Sequence, residues 1–92
     1  MWYLYILKCK NGAHYTGVTN NLERRLVEHK EGKGGHYTRF NPPEELVYFE
    51  RFETELLAQE REMQIKRWSK EKKSALVRND IYQLRHLSVS RD

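Results

Sequence analysis

Apolar and β-branched residues form two short runs near the start of the chain, at residues 2–9 and 13–19. Runs of this length and composition are typical of β-strands, and the Asn11-Gly12 pair between them is the strongest short-range hairpin signal that a sequence can carry. The pattern therefore predicts a β-hairpin at the start of the fold.

A helical pattern follows the hairpin. Leu22, Leu26 and His29 recur at spacings of four and three residues, which places them on one face of a helix. Asn20 or Asn21 can cap its first turn, and a group of glycines ends it after about residue 31.

The second half of the chain predicts one more strand and two helices. Residues 32–43 hold three glycines and two prolines and indicate a mobile surface loop, after which residues 46–52 have strand composition. A helix from Thr54 to about residue 68 and another from Ser69 to about residue 79 complete the order β-β-α-β-α-α. We expect a small α/β (α+β) fold, a three-stranded, mainly antiparallel sheet flanked by helices.

Length and composition indicate a single domain. Ninety-two residues, 38% hydrophobic and 12% aromatic, suffice for one modest core over residues 1–87, and we expect residues 88–92 to fray. No run approaches the roughly 20 apolar residues of a membrane span, and the start lacks a basic leader, so we expect a cytoplasmic protein without membrane contact. The single cysteine, Cys9, excludes an internal disulfide and a cysteine-based metal site and is interpreted as a buried thiol.

Positive charge is concentrated late in the chain. The formal net charge is +4, but residues 1–60 carry a net −1 and residues 61–86 a net +5. A basic cluster of this kind attracts a nucleic-acid backbone through counterion release, although an ordinary solvated helix has the same composition. The candidate nucleic-acid-binding residues are Arg39, Lys66, Arg67, Lys70, Lys72 and Lys73.

The register of the hairpin decides which tyrosines can act together. A two-residue turn at Asn11-Gly12 would put Tyr5 and Tyr15 on opposite faces of the sheet. A three-residue turn at residues 10–12, with Gly12 left-handed in a bulge, pairs Tyr5 with Gly17, puts both tyrosines on one face and leaves a hollow over the phenol of Tyr5. We favour the bulged turn, although strand tyrosines that simply pack are the ordinary alternative.

Two helices carry polar side chains beside their apolar faces. Arg25 and His29 form an (i, i+4) pair on the first helix, so both can point to one spot near the hairpin; a partly buried histidine and an arginine along the surface are the plainer alternative. On the second helix, spacing does not select Glu62 over Glu60 or Glu55. One such carboxylate could hold Mg²⁺, which needs only one or two protein oxygens when phosphate and water supply the rest.

Three motifs together resemble the signature of the GIY-YIG nucleases, namely Tyr3-Leu4-Tyr5, Tyr15-Thr16-Gly17 and residues 21–26. The spacing is the specific part, with about ten residues between the two tripeptides and eight from Gly17 to Arg25. The motifs at residues 36–39, 46–48 and 61–68 look like those of the small stand-alone bacterial members. The similarity covers roughly residues 2–78, nearly the whole domain.

The resemblance implies a metal-dependent DNA endonuclease that uses one Mg²⁺ or Mn²⁺ ion. Tyr5 matches a tyrosine proposed as a general base or as a positioner of the attacking water, and Tyr15 matches the tyrosine of the second tripeptide. Arg25 matches the arginine that stabilises the phosphate, and His29 falls where the family places a histidine or tyrosine near the scissile group. Glu62 matches the single metal-binding glutamate. The implied catalytic residues are Tyr5, Tyr15, Arg25, His29 and Glu62.

These assignments are chemically coherent. Phosphodiester hydrolysis gathers negative charge on the phosphoryl oxygens, so Arg25 and a metal ion on Glu62 would lower the barrier from two sides. With an unperturbed pKa of about 10, the phenol of Tyr5 needs the metal or a cation to lose its proton near neutral pH. Arg25 could supply that cation, whereas the favoured register turns Lys8 to the other face of the sheet.

The chain departs from the family pattern at three places. Tyr3 replaces the glycine of the first tripeptide and Thr16 the isoleucine of the second, while the late asparagine of many members has only Asn79 as a counterpart. We therefore keep an alternative, a nucleic-acid-binding adaptor of the same fold with weak or no turnover. A general protein-interaction module is a third possibility. As a nuclease we expect selectivity for branched, damaged or single-stranded DNA structure, with a protein partner for targeting, since family nucleases usually borrow specificity from an attached domain.

Overall fold

The computed structural model describes residues 1–33 and 41–78. The elements within them are β1 (Trp2–Cys9), β2 (His14–Thr19), α1 (Leu22–Lys30), β3 (Pro43–Phe52), α2 (Glu55–Lys66) and α3 (Lys70–Val77). The predicted order β-β-α-β-α-α is confirmed. The predictions made for Arg39, for Asn79 and for the tail at residues 88–92 lie outside the described residues.

The three strands form one sheet in the order β2-β1-β3, and both pairings are antiparallel. β3 begins at Pro43, three residues before the predicted start at Leu46. An edge strand tolerates a proline because the missing N–H costs no ladder hydrogen bond on its open side. Pro42, the residue before the strand, also fixes this end of β3, because its carbonyl accepts a hydrogen bond from the Lys10 N–H at 3.0 Å.

The turn between β1 and β2 sets the register that the site depends on. Gly12 has a φ of +86° and donates its N–H to the Cys9 carbonyl at 2.9 Å. Tyr5 pairs with Gly17 across the two strands. The predicted bulged turn at residues 10–12 is confirmed, and it puts Tyr5 and Tyr15 on the same face of the sheet because strand residues alternate between faces.

The hydrophobic core lies between the sheet and the two C-terminal helices. Leu4 and Ile6 of β1 pack against Ile65 of α2 and Leu76 of α3, all at most 6% exposed. Partly buried side chains surround this group: Val18, Val47, Tyr48, Phe52, Trp68 and Val77. Cys9 is also fully buried, as predicted, and burial raises the pKa of its thiol.

The helices begin where their capping residues were predicted. The side chains of Asn21, Thr54 and Ser69 accept hydrogen bonds from backbone N–H groups three residues later, at 3.0, 3.2 and 3.2 Å. α1 covers the face of the sheet opposite the core, because Tyr5, which alternates with the core residues of β1, contacts α1. Within residues 1–33 and 41–78, no helix is long and apolar enough to cross a membrane.

Candidate functional site

The phenol of Tyr5 lies at the centre of a buried polar group between the sheet and α1. Its hydroxyl is 2.8 Å from Nε2 of His29, and Nε of Arg25 donates to the same oxygen at 3.4 Å. Tyr5 and His29 are each only 1% exposed. Three of the side chains that the resemblance singled out therefore meet at one phenolic oxygen.

Gly17 makes room for this phenol. A Cβ atom at Gly17 would lie 2.5 Å from the hydroxyl oxygen of Tyr5, much closer than non-bonded atoms approach. The expected hollow over the phenol is therefore wrong, because the ring of Tyr5 itself occupies the space above Gly17. The glycine is needed for contact rather than for an empty cavity.

Tyr15 completes an aromatic group with Tyr5 and His29. Its ring centroid lies 6.4 Å from that of Tyr5 and 5.0 Å from that of His29, and both ring pairs are inclined to one another. The ring of His29 meets that of Tyr5 edge-on at 5.8 Å. Three rings packed in this way hold the Tyr5 hydroxyl and the imidazole in a fixed relation.

The electrostatics of the group keep both titratable partners neutral. Burial raises the pKa of Tyr5 to about 12, with Tyr15 and Glu62 adding to the rise while Arg25 opposes it. Burial, together with the charge of Arg25, lowers the pKa of His29 to about 4. A neutral imidazole with its proton on Nδ1 can accept at Nε2, so the arrangement allows Tyr5 to donate to His29 while it accepts from Arg25.

Arg25 joins this buried group to the surface. Its side chain is 32% exposed, and Nη1 pairs with Glu28 at 3.1 Å, one turn further along α1. The guanidinium thus has one edge on the phenol of Tyr5 and another toward solvent, where an anion can reach it. Lys8 is the other cation considered for Tyr5. It lies opposite His14 in the register of β1 and β2, and its side chain is on the face of the sheet opposite to that of Tyr5, as predicted.

Glu62 stands apart from the other glutamates of α2. It is 22% exposed, pairs with Lys66 at 3.2 Å and contributes to the raised pKa of Tyr5, whereas Glu55 and Glu60 are exposed. The described part of the chain holds no group of three or more metal-ligating side chains. A single partly exposed carboxylate, near enough to Tyr5 for its charge to affect the pKa of the phenol, fits Mg²⁺, which binds through one or two carboxylates and keeps waters and substrate oxygens as its other ligands.

The predicted basic cluster is divided by the fold. Lys66, Arg67 and Lys70 are exposed and Lys73 is half-buried. Lys72 is only 2% exposed, with its ammonium 4.4 Å from the ring centroid of Trp68. We therefore remove Lys72 from the candidate phosphate contacts, because its ammonium supports the packing of α2 on α3.

Sequence patterns missed two further polar groups. Arg61 of α2 forms an ion pair with Glu50 at 3.1 Å, and its guanidinium lies 5.2 Å from the Trp68 ring centroid, so it has a structural role. His14 and Thr16 lie on the face of β2 that α2 and α3 cover. The sequence pattern does not distinguish them from ordinary strand residues. The departure of Thr16 from the family pattern was the only signal that could have found them.

Comparison with known proteins assigns the class. The chain matches the family model of the GIY-YIG catalytic domain over residues 1–75. It therefore belongs to the GIY-YIG family, a nuclease superfamily whose members generally depend on metal and bind nucleic acid.

Similar proteins are small UPF0213 proteins of bacteria and archaea. One from Clostridium perfringens is 51% identical over 77 residues, which cover 84% of this chain and 83% of that protein. One from Natronomonas pharaonis is 46% identical over 78 residues, 85% of this chain and 92% of that protein. The solution NMR structure of a UPF0213 protein from Bacillus halodurans is similar with a TM-score of 0.56 and 41% identity, covering 87% of this chain and 86% of that one. The predicted resemblance to small stand-alone members is confirmed.

The low pKa of His29 makes folding sensitive to acid. Between the usual pKa of 6.5 and the folded value of about 4, the unfolded chain binds a proton at this position and the folded chain does not. The contribution of His29 to the free energy of unfolding should be fully present above pH 6.5 and should fall by up to about 3 kcal/mol as the pH falls toward 4. Urea unfolding at pH 7 and pH 4.5 measures this loss. His29→Gln should reduce this loss of stability, and the lowered pKa of His14 should leave part of it.

Gly17→Ala should displace the phenol of Tyr5. We expect a loss of about 1–3 kcal/mol, as for other overpacked sites, and disruption of the hydrogen bond from Tyr5 to His29. Gly12→Ala is the matched control, since a Cβ there meets nothing within 4 Å and the cost is only that of a positive φ. Urea unfolding and the imidazole NMR signals of the two variants report on stability and on His29. Undisturbed His29 signals in Gly17→Ala would contradict the close packing.

Proposed function

We propose that this chain is a metal-dependent endonuclease of the cytoplasm that hydrolyses one phosphodiester bond of DNA and selects its substrate by structure, as in repair. The observation that supports this most is the meeting of Tyr5, His29 and Arg25 at one phenolic oxygen, with Glu62 close enough to raise the pKa of that phenol. A buried hydroxyl needs one hydrogen-bond partner, whereas this one has two, and one of them is a guanidinium that also reaches solvent.

Each side chain has a chemical task in this proposal. Arg25 holds the scissile phosphate with the edge of its guanidinium that faces solvent and stabilises the charge that grows on the phosphoryl oxygens. Tyr5 positions the attacking water and takes up its proton while it passes its own proton to His29, and solvent water protonates the oxygen that leaves. The bound phosphate would offset the charge of Arg25, one of the causes that lower the pKa of His29. Tyr15 packs against both rings and keeps this pair aligned.

Glu62 would hold the single Mg²⁺ or Mn²⁺ ion. The ion would supply a second positive charge to the phosphate, in addition to that of Arg25. Neutralising the charge of Glu62 also removes one of the causes that raise the pKa of Tyr5. Lys66 pairs with the same carboxylate, so it must give way when a metal binds.

The exposed basic residues supply general affinity for the backbone. Lys66, Arg67 and Lys70 lie on α2, at its C-cap and on α3, and Lys73 lies one turn further along α3. Contacts from such residues to phosphates are independent of base sequence and weaken as salt rises. This agrees with a nuclease that recognises the shape of DNA rather than a sequence.

The test is incubation of the purified chain with linear, nicked, flapped, single-stranded and four-way DNAs in Mg²⁺ or Mn²⁺. We expect cleavage of at least one branched or single-stranded substrate that EDTA and Glu62→Ala both abolish. Binding without cleavage across the whole panel would replace the enzyme by the nucleic-acid-binding adaptor. Cleavage that survives EDTA would rule out the metal-dependent mechanism.

A further inference from the structure

A second polar group lies behind the candidate catalytic face, on the other side of the edge strand β2. Because strand residues alternate, Tyr15 faces α1 while its neighbours His14 and Thr16 face the C-terminal helices. Thr16 is only 4% exposed, and His14 is half-buried. Both side chains therefore lie at the junction of β2 with α2 and α3.

These two side chains carry buried polar atoms that the described residues leave unsatisfied. Oγ1 of Thr16 and Nδ1 of His14 are both inaccessible to solvent, and neither has a hydrogen-bond partner within residues 1–33 and 41–78. A buried donor or acceptor without a partner destabilises a fold, so each such atom calls for an explanation. Valine would have the same shape as threonine at this strand position without a polar atom. The buried hydroxyl of Thr16 is therefore stronger evidence for a ligand than Nδ1 of His14.

Three lysine side chains line the surface hollows beside Oγ1 of Thr16 and Nδ1 of His14. Two adjoining hollows of about 250 and 260 Å³ share His14 and Lys73; Lys70 lines one of them, and Thr16 and Lys66 line the other. Since a water molecule takes up roughly 30 Å³ in the liquid, each hollow has room for a phosphate group with several waters. Both hollows thus combine several ammonium groups with an imidazole or a buried hydroxyl.

The charge around His14 is strongly positive. Its pKa is lowered by burial and by the nearby charges of Lys73, Lys70 and Lys8. Lys66, which lines the hollow beside Thr16, is the member that has an acidic partner, Glu62. Like charges brought together at a surface repel one another, and a bound anion would relieve that repulsion.

We propose that His14, Thr16, Lys66, Lys70 and Lys73 form a phosphate-binding site distinct from the group around Tyr5. Movement of the lysine side chains over the two buried atoms, Oγ1 of Thr16 and Nδ1 of His14, would open them to phosphate oxygens, which accept hydrogen bonds from a threonine hydroxyl and an imidazole N–H, while ammonium groups balance the phosphate charge. The site holds an internal phosphate of the DNA strand that is cut. This last step rests on the proposed function, whereas the binding of phosphate itself does not.

The position of Tyr15 indicates that one nucleic-acid strand can contact both the phosphate-binding site and the group around Tyr5. Tyr15 lines the hollow beside Thr16, and its ring lies 5.0 Å from the ring of His29 in the catalytic group. β2 is an edge strand, so nothing in the sheet separates the two places on its outer side. A nucleic-acid backbone that passes around this edge would contact both sites.

Thr16→Val is the sharpest variant, because valine keeps the shape and the β-branching of threonine and removes only the unsatisfied hydroxyl. We expect its Tm to rise and its affinity for a single-stranded oligonucleotide in Ca²⁺ to fall several-fold. Lys73→Met should reduce affinity about tenfold. Lys33→Met is the matched control, since it removes the same charge from a lysine that is 74% exposed and pairs with Glu31, and it should change affinity little.

NMR of the full chain tests the phosphate chemistry without DNA. Inorganic phosphate should shift the imidazole signals of His14 and raise its pKa, because the anion offsets the charges of Lys73, Lys70 and Lys8 that lower it. Thr16→Val should weaken this response, and Lys33→Met should not. Oligonucleotides with and without a 5′-phosphate should bind equally, as expected for an internal phosphate.

The outcomes separate this site from the proposed function. If Thr16→Val lowers the Tm, or leaves both oligonucleotide affinity and the phosphate shifts unchanged, the site is wrong even if the chain cuts DNA. Dependence of affinity on the terminal phosphate would overturn the placement of an internal one. If phosphate shifts His14 in a Thr16-dependent way but no oligonucleotide binds, the phosphate site stands, while its placement on a DNA strand and the proposed function fail.

Discussion

Glu62→Gln is expected to lower single-turnover cleavage in Mg²⁺ by at least about 100-fold, while affinity for DNA stays the same or rises. The amide keeps the size of the side chain but loses the charge that holds a metal ion. Removing a carboxylate also removes its repulsion of the DNA backbone. An interaction that acts mainly on the charge of the transition state lowers the rate without lowering affinity.

Arg25→Ala should behave differently from Glu62→Gln. Its guanidinium would contact the phosphate in the ground state as well as in the transition state, so its loss should reduce affinity and rate together. The two assays are single-turnover cleavage in Mg²⁺ and equilibrium binding in Ca²⁺, on one substrate. Glu60→Gln is the matched control, since Glu60 lies on the same helix with an exposed side chain.

The same pair of assays separates two roles of Glu62. Its charge is one cause of the raised pKa of Tyr5, so neutralising it would ease deprotonation of the phenol. If Glu62 acted only through that pKa, Glu62→Gln would cut as well as the parent or faster. Equal cleavage by the variant would show that the metal assignment is wrong and would direct the search to another carboxylate.

Parts of the fold and site that depend on local rules could be predicted from the sequence. Gly12 in a left-handed bulge and strict alternation along β1 and β2 are enough to bring Tyr5 and Tyr15 to one face. The cap of the first helix could be narrowed to Asn20 or Asn21, because few residue types satisfy the first turn of a helix, and the structure identifies Asn21. Each of these inferences needs only neighbours in the chain or one hairpin.

Properties that depend on packing between distant elements could not be predicted. Lys72 has the sequence context of a solvated lysine, but it is only 2% exposed and its ammonium lies 4.4 Å from the ring centroid of Trp68. Thr16 is an ordinary strand residue until α2 and α3 close over it and leave its hydroxyl without a partner. The pKa of Tyr5 likewise depends on how deeply α1 and the sheet bury the phenol.

Tyr5→Phe is expected to lower cleavage by roughly 100- to 10,000-fold, the range for loss of a general acid or base. The fold should survive, because phenylalanine fills the same space, and the cost of leaving Nε2 of His29 without its partner is about 1–3 kcal/mol. Tyr3→Phe is the matched control. It makes the same chemical change two residues earlier, on a tyrosine whose ring packs against Phe49, and it should cut like the parent.

His29→Gln decides what the histidine contributes. The amide oxygen of glutamine can accept a hydrogen bond from Tyr5, but it cannot take up a proton in this pH range. If His29 receives the phenol proton, His29→Gln should be nearly as slow as Tyr5→Phe, and the double variant should be no slower than the slower single variant, because the two residues act as one unit. The rates should be compared above pH 6.5, where the parent is fully stable. Near-parental cleavage by His29→Gln would mean that the histidine only orients the phenol, and additive losses in the double variant would mean that Tyr5 and His29 act in separate steps.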